Sequence, residues 1–467
     1  MNYSMPRLLG RPDAFVFAGL VSLALMLQVR AAPPAGAAAK DPHKGPVAAL
    51  LAGTKANFEG AATCSNAQCH GAPAANTAPG KQAGNEFTLW NGPRDPHRAA
   101  FKSLTPANAK GQQIWKAYQS THPELANAQA TTSEACISCH ALSIPKERQG
   151  KDYKLTEGVT CDSCHGPSDK YIEPHKEVQW LPKQYQQLVA QNGNDPAKGH
   201  AALLTQWGAY YNKPIAFRAE RCMSCHLEID ADMVAAGHPQ PKFEMNWYTV
   251  TYADKHWKDP AGYFLAKLWA TGQAVATRDA MKQLSERAKN PNVKDEALAE
   301  AYQQAAAHWS VFAPLVSTGT VPGEFKNMDA WAANLKSSFT RKDKAAVAKA
   351  ADSLRAYAVQ LAPAVDKWDP KLADATKVLN AIAAMPPDAT PTGNQARDQQ
   401  RLAIFALTNA IAGSPDKPPA AVAARGVIGA KLFPKDPQNP KEFLDIEKIP
   451  PAQFTAAMQE VVPKLPK

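Results

Sequence analysis

The segment Gly158-Val-Thr-Cys161-Asp-Ser-Cys164-His165-Gly166-Pro167 places two cysteines three residues apart and a histidine directly after the second. The same order recurs in Cys136-Ile-Ser-Cys139-His140 and Cys222-Met-Ser-Cys225-His226, and in a wider version in Cys64-Ser-Asn-Ala-Gln-Cys69-His70. These four clusters use all eight cysteines of the 467-residue chain. With 12 histidines in the chain, chance would place one after all four second cysteines with a probability of about 4 × 10⁻⁷. The Cys-x-x-Cys-His spacing is that of covalent c-type haem attachment. Two thiols about one helical turn apart reach the vinyl groups on one side of a porphyrin, and the adjacent imidazole falls beneath the iron. We therefore expect four covalently attached haem c groups, held by Cys64, Cys69, Cys136, Cys139, Cys161, Cys164, Cys222 and Cys225, with His70, His140, His165 and His226 as proximal ligands. The wider loop of the first cluster must bulge outward to keep its sulfurs the same distance apart. Structural zinc and redox dithiols also use Cys pairs, yet neither explains a His after every second cysteine.

Eight further histidines are candidates for the opposite face of an iron. A second imidazole saturates the metal and suits electron transfer, whereas an open position suits substrate binding. His97 lies in Trp90-Asn-Gly-Pro-Arg-Asp-Pro-His97-Arg-Ala-Ala-Phe101, His175 follows the third cluster in Glu-Pro-His175, and His238 follows the fourth in Gly237-His238-Pro239. Proline fixes the local backbone at each, and these three are the expected distal ligands. His122 and His256 rank below them, His43 and His200 lower still, and His308 reads as a structural residue on a helix face.

These segments resemble the multihaem cytochromes c of the cytochrome c-554 type, tetrahaem carriers associated with hydroxylamine oxidation. The resemblance covers roughly residues 60–285 and rests on Cys69-His70-Gly71, the Trp90 to Phe101 segment, Gly158 to Pro167, and Gly237-His238-Pro239 leading to Phe243-Glu244. His256-Trp257 followed by Trp269-Ala-Thr-Gly272-Gln273 also looks like the helix after the last haem in such proteins. The resemblance implies a mostly α fold around closely stacked haems, bis-histidine ligation at most irons, and room for one five-coordinate haem. The wider first cluster and the long carboxy-terminal tail depart from that pattern.

Residues 1–31 carry Arg7 and Arg11, an apolar run from Ala14 to Val29 and small residues at Ala31 and Ala32, the pattern of a cleaved secretory signal peptide. The expected location is periplasmic or otherwise extracytoplasmic, with no permanent membrane span after cleavage. An Ala/Pro-rich linker is expected over 32–60, a tetrahaem domain over 61–257 and a helical domain over 258–467. In that last region Leu265, Leu268, Trp269, Val275 and Ala276 recur at helical spacing, as do Leu298, Ala301, Ala305, Trp309 and Phe312, then Val347, Ala350, Leu354, Tyr357 and Leu361. The fold class is therefore mainly α: short helices and loops around stacked haems, then a helical bundle that packs on them or docks a partner.

The formal net charge of +10 is not gathered into a basic run, and haem propionates offset much of it, so nucleic acid is not an expected partner. Redox proteins that donate and accept electrons are. The function expected is an electron carrier without a catalytic residue. The alternative is an oxidoreductase acting on a small nitrogen oxide or similar ligand at one five-coordinate haem.

Overall fold

Proline and glycine punctuate the amino-terminal half and keep its helices short. The computed structural model describes residues 46–66, 69–71, 85–93, 95–177, 179–251, 256–257, 259–323, 325–386, 393–437 and 443–467. The signal peptide expected over 1–31 and His43 lie outside them. Among the described residues ten helices precede residue 252: α1 (Pro46–Gly53), α2 (Glu86–Trp90), α3 (Ala109–Ser120), α4 (Glu134–His140), α5 (Cys161–His165), α6 (Trp180–Gln191), α7 (Pro196–Trp207), α8 (Ile215–His226), α9 (Ala231–Ala235) and α10 (Met245–Thr251). Local sequence explains their ends. Asp195 caps α7 by accepting from the Ala197 and Lys198 amides at 2.9 and 3.2 Å, and Gly208 closes it in the left-handed conformation. The described part of the expected 32–60 linker contains α1, with Leu50 and Phe58 fully buried.

The helices then lengthen: α11 (Tyr263–Lys289), α12 (Asp295–Ser317), α13 (Phe325–Thr340), α14 (Lys344–Lys367), α15 (Leu372–Ala383), α16 (Gly393–Ala412), α17 (Pro419–Leu432) and α18 (Pro451–Val461). The mainly α expectation holds, since β structure among the described residues is confined to isolated bridges. None of the described helices is long and apolar enough to cross a membrane. Helix α11 is buried nearly all round, Trp269 completely, because α8, α10, α12, α14 and α16 all pack on it.

Core distribution differs between the two halves. Ile215, Ala219 and Met223 of α8 share one apolar core with Trp269, Leu354, Leu407 and Phe454. The cysteine-bearing region otherwise holds only small clusters, such as Phe101, Leu104, Trp115, Tyr118 and Met233 around Cys136. Short helices with so few side chains between them match a region whose interior is completed by porphyrin.

Candidate functional site

Helix geometry sets three of the four clusters. In α4, α5 and the last turn of α8 the spacing i, i+3, i+4 puts both sulfurs and the imidazole on neighbouring positions of one face. At the first cluster a 3₁₀ turn, Ala61–Cys64, ends at the first cysteine. The Asn66 carbonyl then accepts from the Cys69 and Gly71 amides at 3.0 and 2.9 Å.

No disulfide joins any of the eight cysteines. Burial pushes Cys136 and Cys222 up to about 12 and raises Cys164. Cys161 and Cys225 are raised further, first by hydrogen bonds to Cys64 and Cys139 and then by burial, and Cys139 is lowered by its bond to Cys225. The contacts Cys64–Cys161 and Cys139–Cys225 run between clusters rather than within a Cys-x-x-Cys pair. A thioether carries no charge and tolerates this burial.

The imidazoles are arranged in four facing pairs. His70 faces His175 with ring centroids 6.1 Å apart and planes 3° from parallel. His165 faces His256 at 6.1 Å and 29°, His226 faces His97 at 6.0 Å and 90°, and His140 faces His238 at 6.2 Å and 76°. Each pair joins one cluster histidine to one from a distant part of the chain. Two metal–nitrogen bonds of about 2 Å with half a ring on either side span about 6 Å, so every gap fits one iron. Zinc, needing four converging donors, does not fit: among the described residues no three His, Cys, Asp or Glu side chains converge on a metal position.

The family model described as "Cytochrome c554 and c-prime" matches residues 63–166. No curated protein and no solved structure matches the chain. The matched span contains the first three clusters and stops before the fourth. The chain thus resembles the multihaem cytochromes c, which act in electron transfer, carry covalently bound haem c and are usually extracytoplasmic.

Neighbouring groups hold Nδ1 in five of the paired imidazoles, which makes Nε2 the nitrogen available to a metal. Ser103 shows the logic: its hydroxyl donates to the Ala100 carbonyl at 2.6 Å, so its Oγ can only accept, at 2.8 Å, from His140 Nδ1–H. His97 Nδ1 lies 2.8 Å from Asp95 Oδ1, and His70 Nδ1 lies 3.2 Å from Glu86 Oε2. His175 and His238 reach the Ile172 and Pro239 carbonyls at 2.6 and 2.8 Å. Burial drives His165 down to about 3 and His226 to about 4, and it also lowers His140 and His256, so these rings stay neutral as metal ligation requires.

Backbone packing carries the distal residues. Gly158 has φ +74° and its missing Cβ would lie 2.4 Å from the His97 carbonyl, which accepts from the Val159 amide at 3.0 Å. A buried polar network pins the segment before and after His238. The Gln304 side chain of α12 accepts from Gln240 and Gln283 at 3.0 Å each and donates to the Pro241 carbonyl at 2.8 Å. Arg287 of α11 donates to the carbonyls of Ala297 and Ile229 at 2.7 and 2.9 Å.

All seven histidines expected as axial ligands stand in these pairs, and His256, ranked lower in the sequence, is the eighth. His122 does not join them: it stacks on Tyr118 at 4.0 Å, with Nε2 3.7 Å from Asp232. His200 accepts from the Tyr211 amide and packs on Phe217. His308, buried in α12 and lowered by burial to about 3, meets Gln273 at 2.9 Å. Both are structural.

Proposed function

We propose that the chain is an exported tetrahaem c-type cytochrome that carries electrons between redox partner proteins through four bis-histidine haems. The four imidazole pairs, each with an iron-sized gap and one member in a Cys-His cluster, carry this reading. His70, His140, His165 and His226 would bind from the proximal side, and His175, His238, His256 and His97 respectively from the distal side. When bound, haem supplies a reversible one-electron iron couple. The protein's part is to hold two neutral imidazoles in place in both redox states, so that little reorganises on transfer. The order first, third, fourth, second is supported by the Cys64–Cys161 and Cys139–Cys225 contacts and by Cys164 lying close enough to Cys222 to raise it. The alternative, chemistry on a small nitrogen oxide at an open iron, draws no support from any of the four pairs, because each cluster histidine faces a second imidazole.

Electron paramagnetic resonance of the ferric holoprotein, beside a pyridine haemochrome count with intact mass, tests the reading. Four haems per chain, all low-spin, are expected. Parallel imidazole planes act on the same iron dπ orbital and split the set, whereas perpendicular planes nearly cancel. The first and third sites should therefore give rhombic signals and the second and fourth strongly anisotropic ones. A high-spin ferric component, or fewer than four covalent haems, overturns it.

A further inference from the structure

We infer that Arg218 is a positioning residue that fixes both sides of the third haem site and thereby keeps that iron six-coordinate. The inference rests on the assignment of His256 as the ligand opposite His165. Arg218 lies on α8, the helix that ends in the fourth cluster, and is 1% exposed. A buried guanidinium this costly to desolvate needs full pairing, and it has three partners. Its Nη1 and Nη2 donate to the two carboxylate oxygens of Asp259 at 2.5 and 3.0 Å, a bidentate fork. Its plane lies over the Trp257 ring, 4.1 Å from the centroid, and that ring in turn lies 5.0 Å from His256. Its Nε donates to the Asn212 carbonyl at 3.3 Å, while the Asn212 side chain donates to the Cys164 carbonyl at 2.8 Å.

One side chain therefore grips the residues flanking His256 through Trp257 and Asp259, and reaches the backbone beside His165 through Asn212. The distance between the two imidazoles is set by a group that touches neither. Planarity and the two-pronged fork are needed, so lysine cannot replace it: an ammonium offers a point charge and no stacking plane.

The test uses the full-length, haem-loaded protein. Arg218→Gln and Asp259→Asn should each turn one of the four ferric haems high-spin and let the reduced protein bind one equivalent of carbon monoxide, while the wild type binds none. Arg218→Lys should give a mixed-spin third site. Glu220→Gln, on the same helix as Arg218, breaks the 2.7 Å pair with Arg278 of α11; it should leave all four low-spin and serves as the control for helix disturbance. His256→Ala is the reference for a vacated ligand position. If His256→Ala yields a high-spin haem and neither Arg218→Gln nor Asp259→Asn does, the inference about Arg218 is overturned. If His256→Ala leaves every haem low-spin, the ligand assignment itself fails. Should Arg218→Gln not accumulate as holoprotein, Asp259→Asn, which keeps the buried arginine, decides the matter.

Discussion

At single positions the paired imidazoles differ in what holds Nδ1, and with the proposed irons bound that difference would set redox character. His97 meets a carboxylate, His140 a hydroxyl, and His175 and His238 main-chain carbonyls. Burial alone would raise Asp95, but the hydrogen bonds from His97 outweigh it, and its carboxyl stays below the usual range. An ionised partner draws the Nδ1 proton and makes the ring a stronger donor, which favours ferric iron and lowers the potential. Asp95→Asn should raise the potential of the fourth haem by on the order of 60 mV, the one-electron equivalent of a tenfold change in ligand preference. A spectroelectrochemical titration in which one of four potentials moves up checks this; an unchanged set, or a fall, refutes it.

Among the helices, α10 is short and buried, and its start shows a conflict between local and tertiary forces. Glu244 accepts from the Asn246 and Trp247 amides at 2.9 and 2.6 Å, a capping role that favours the carboxylate. Burial wins, helped by nearby Asp398, and pushes Glu244 up to about 7. Its folded value lies above its unfolded one, so the folded state binds more protons between them and stability falls as pH rises from about 4.5 to 7. Glu244→Gln should remove that portion of the slope and be more stable than wild type at pH 8; denaturant titrations across this range, compared as a difference, decide it. The helices of the tail are legible from periodicity because their apolar faces meet other helices: the stripes over 265–276, 298–312 and 347–361 lie in α11, α12 and α14. Likewise the Cys-His clusters were legible because attachment chemistry fixes their local order. Which distal histidine meets which cluster was not, since His175 follows the third cluster yet faces His70 of the first. His256 lacks a flanking proline, and its placement depends on Arg218, far away in sequence.

On the scale of the whole molecule, the described residues between 46 and 467 belong to one compact unit, and this bears on what the long helical tail does. The amino-terminal part has small side-chain clusters and closes long loops at each histidine pair, an entropic cost that haem binding offsets. The tail contributes the rigid side of the arrangement. Gln304 and Arg287 hold the segment around His238, and Lys242 bonds Asp445 and Glu447 at 3.4 and 2.5 Å. Buried residues of α11 such as Leu268, Trp269, Met281 and Leu284 belong to the core shared with the later helices. Removing residues 290–467 should uncover that face and withdraw Gln304, the Ala297 carbonyl and both acidic partners of Lys242. The truncated protein is expected to aggregate, and any soluble fraction to lose the low-spin signal of the haem proposed between His140 and His238. Size-exclusion chromatography with paramagnetic resonance on the same fractions reads both effects. A soluble fragment retaining four low-spin haems would instead make the tail an accessory module, free to dock a redox partner, because the ligand geometry would then be complete without it.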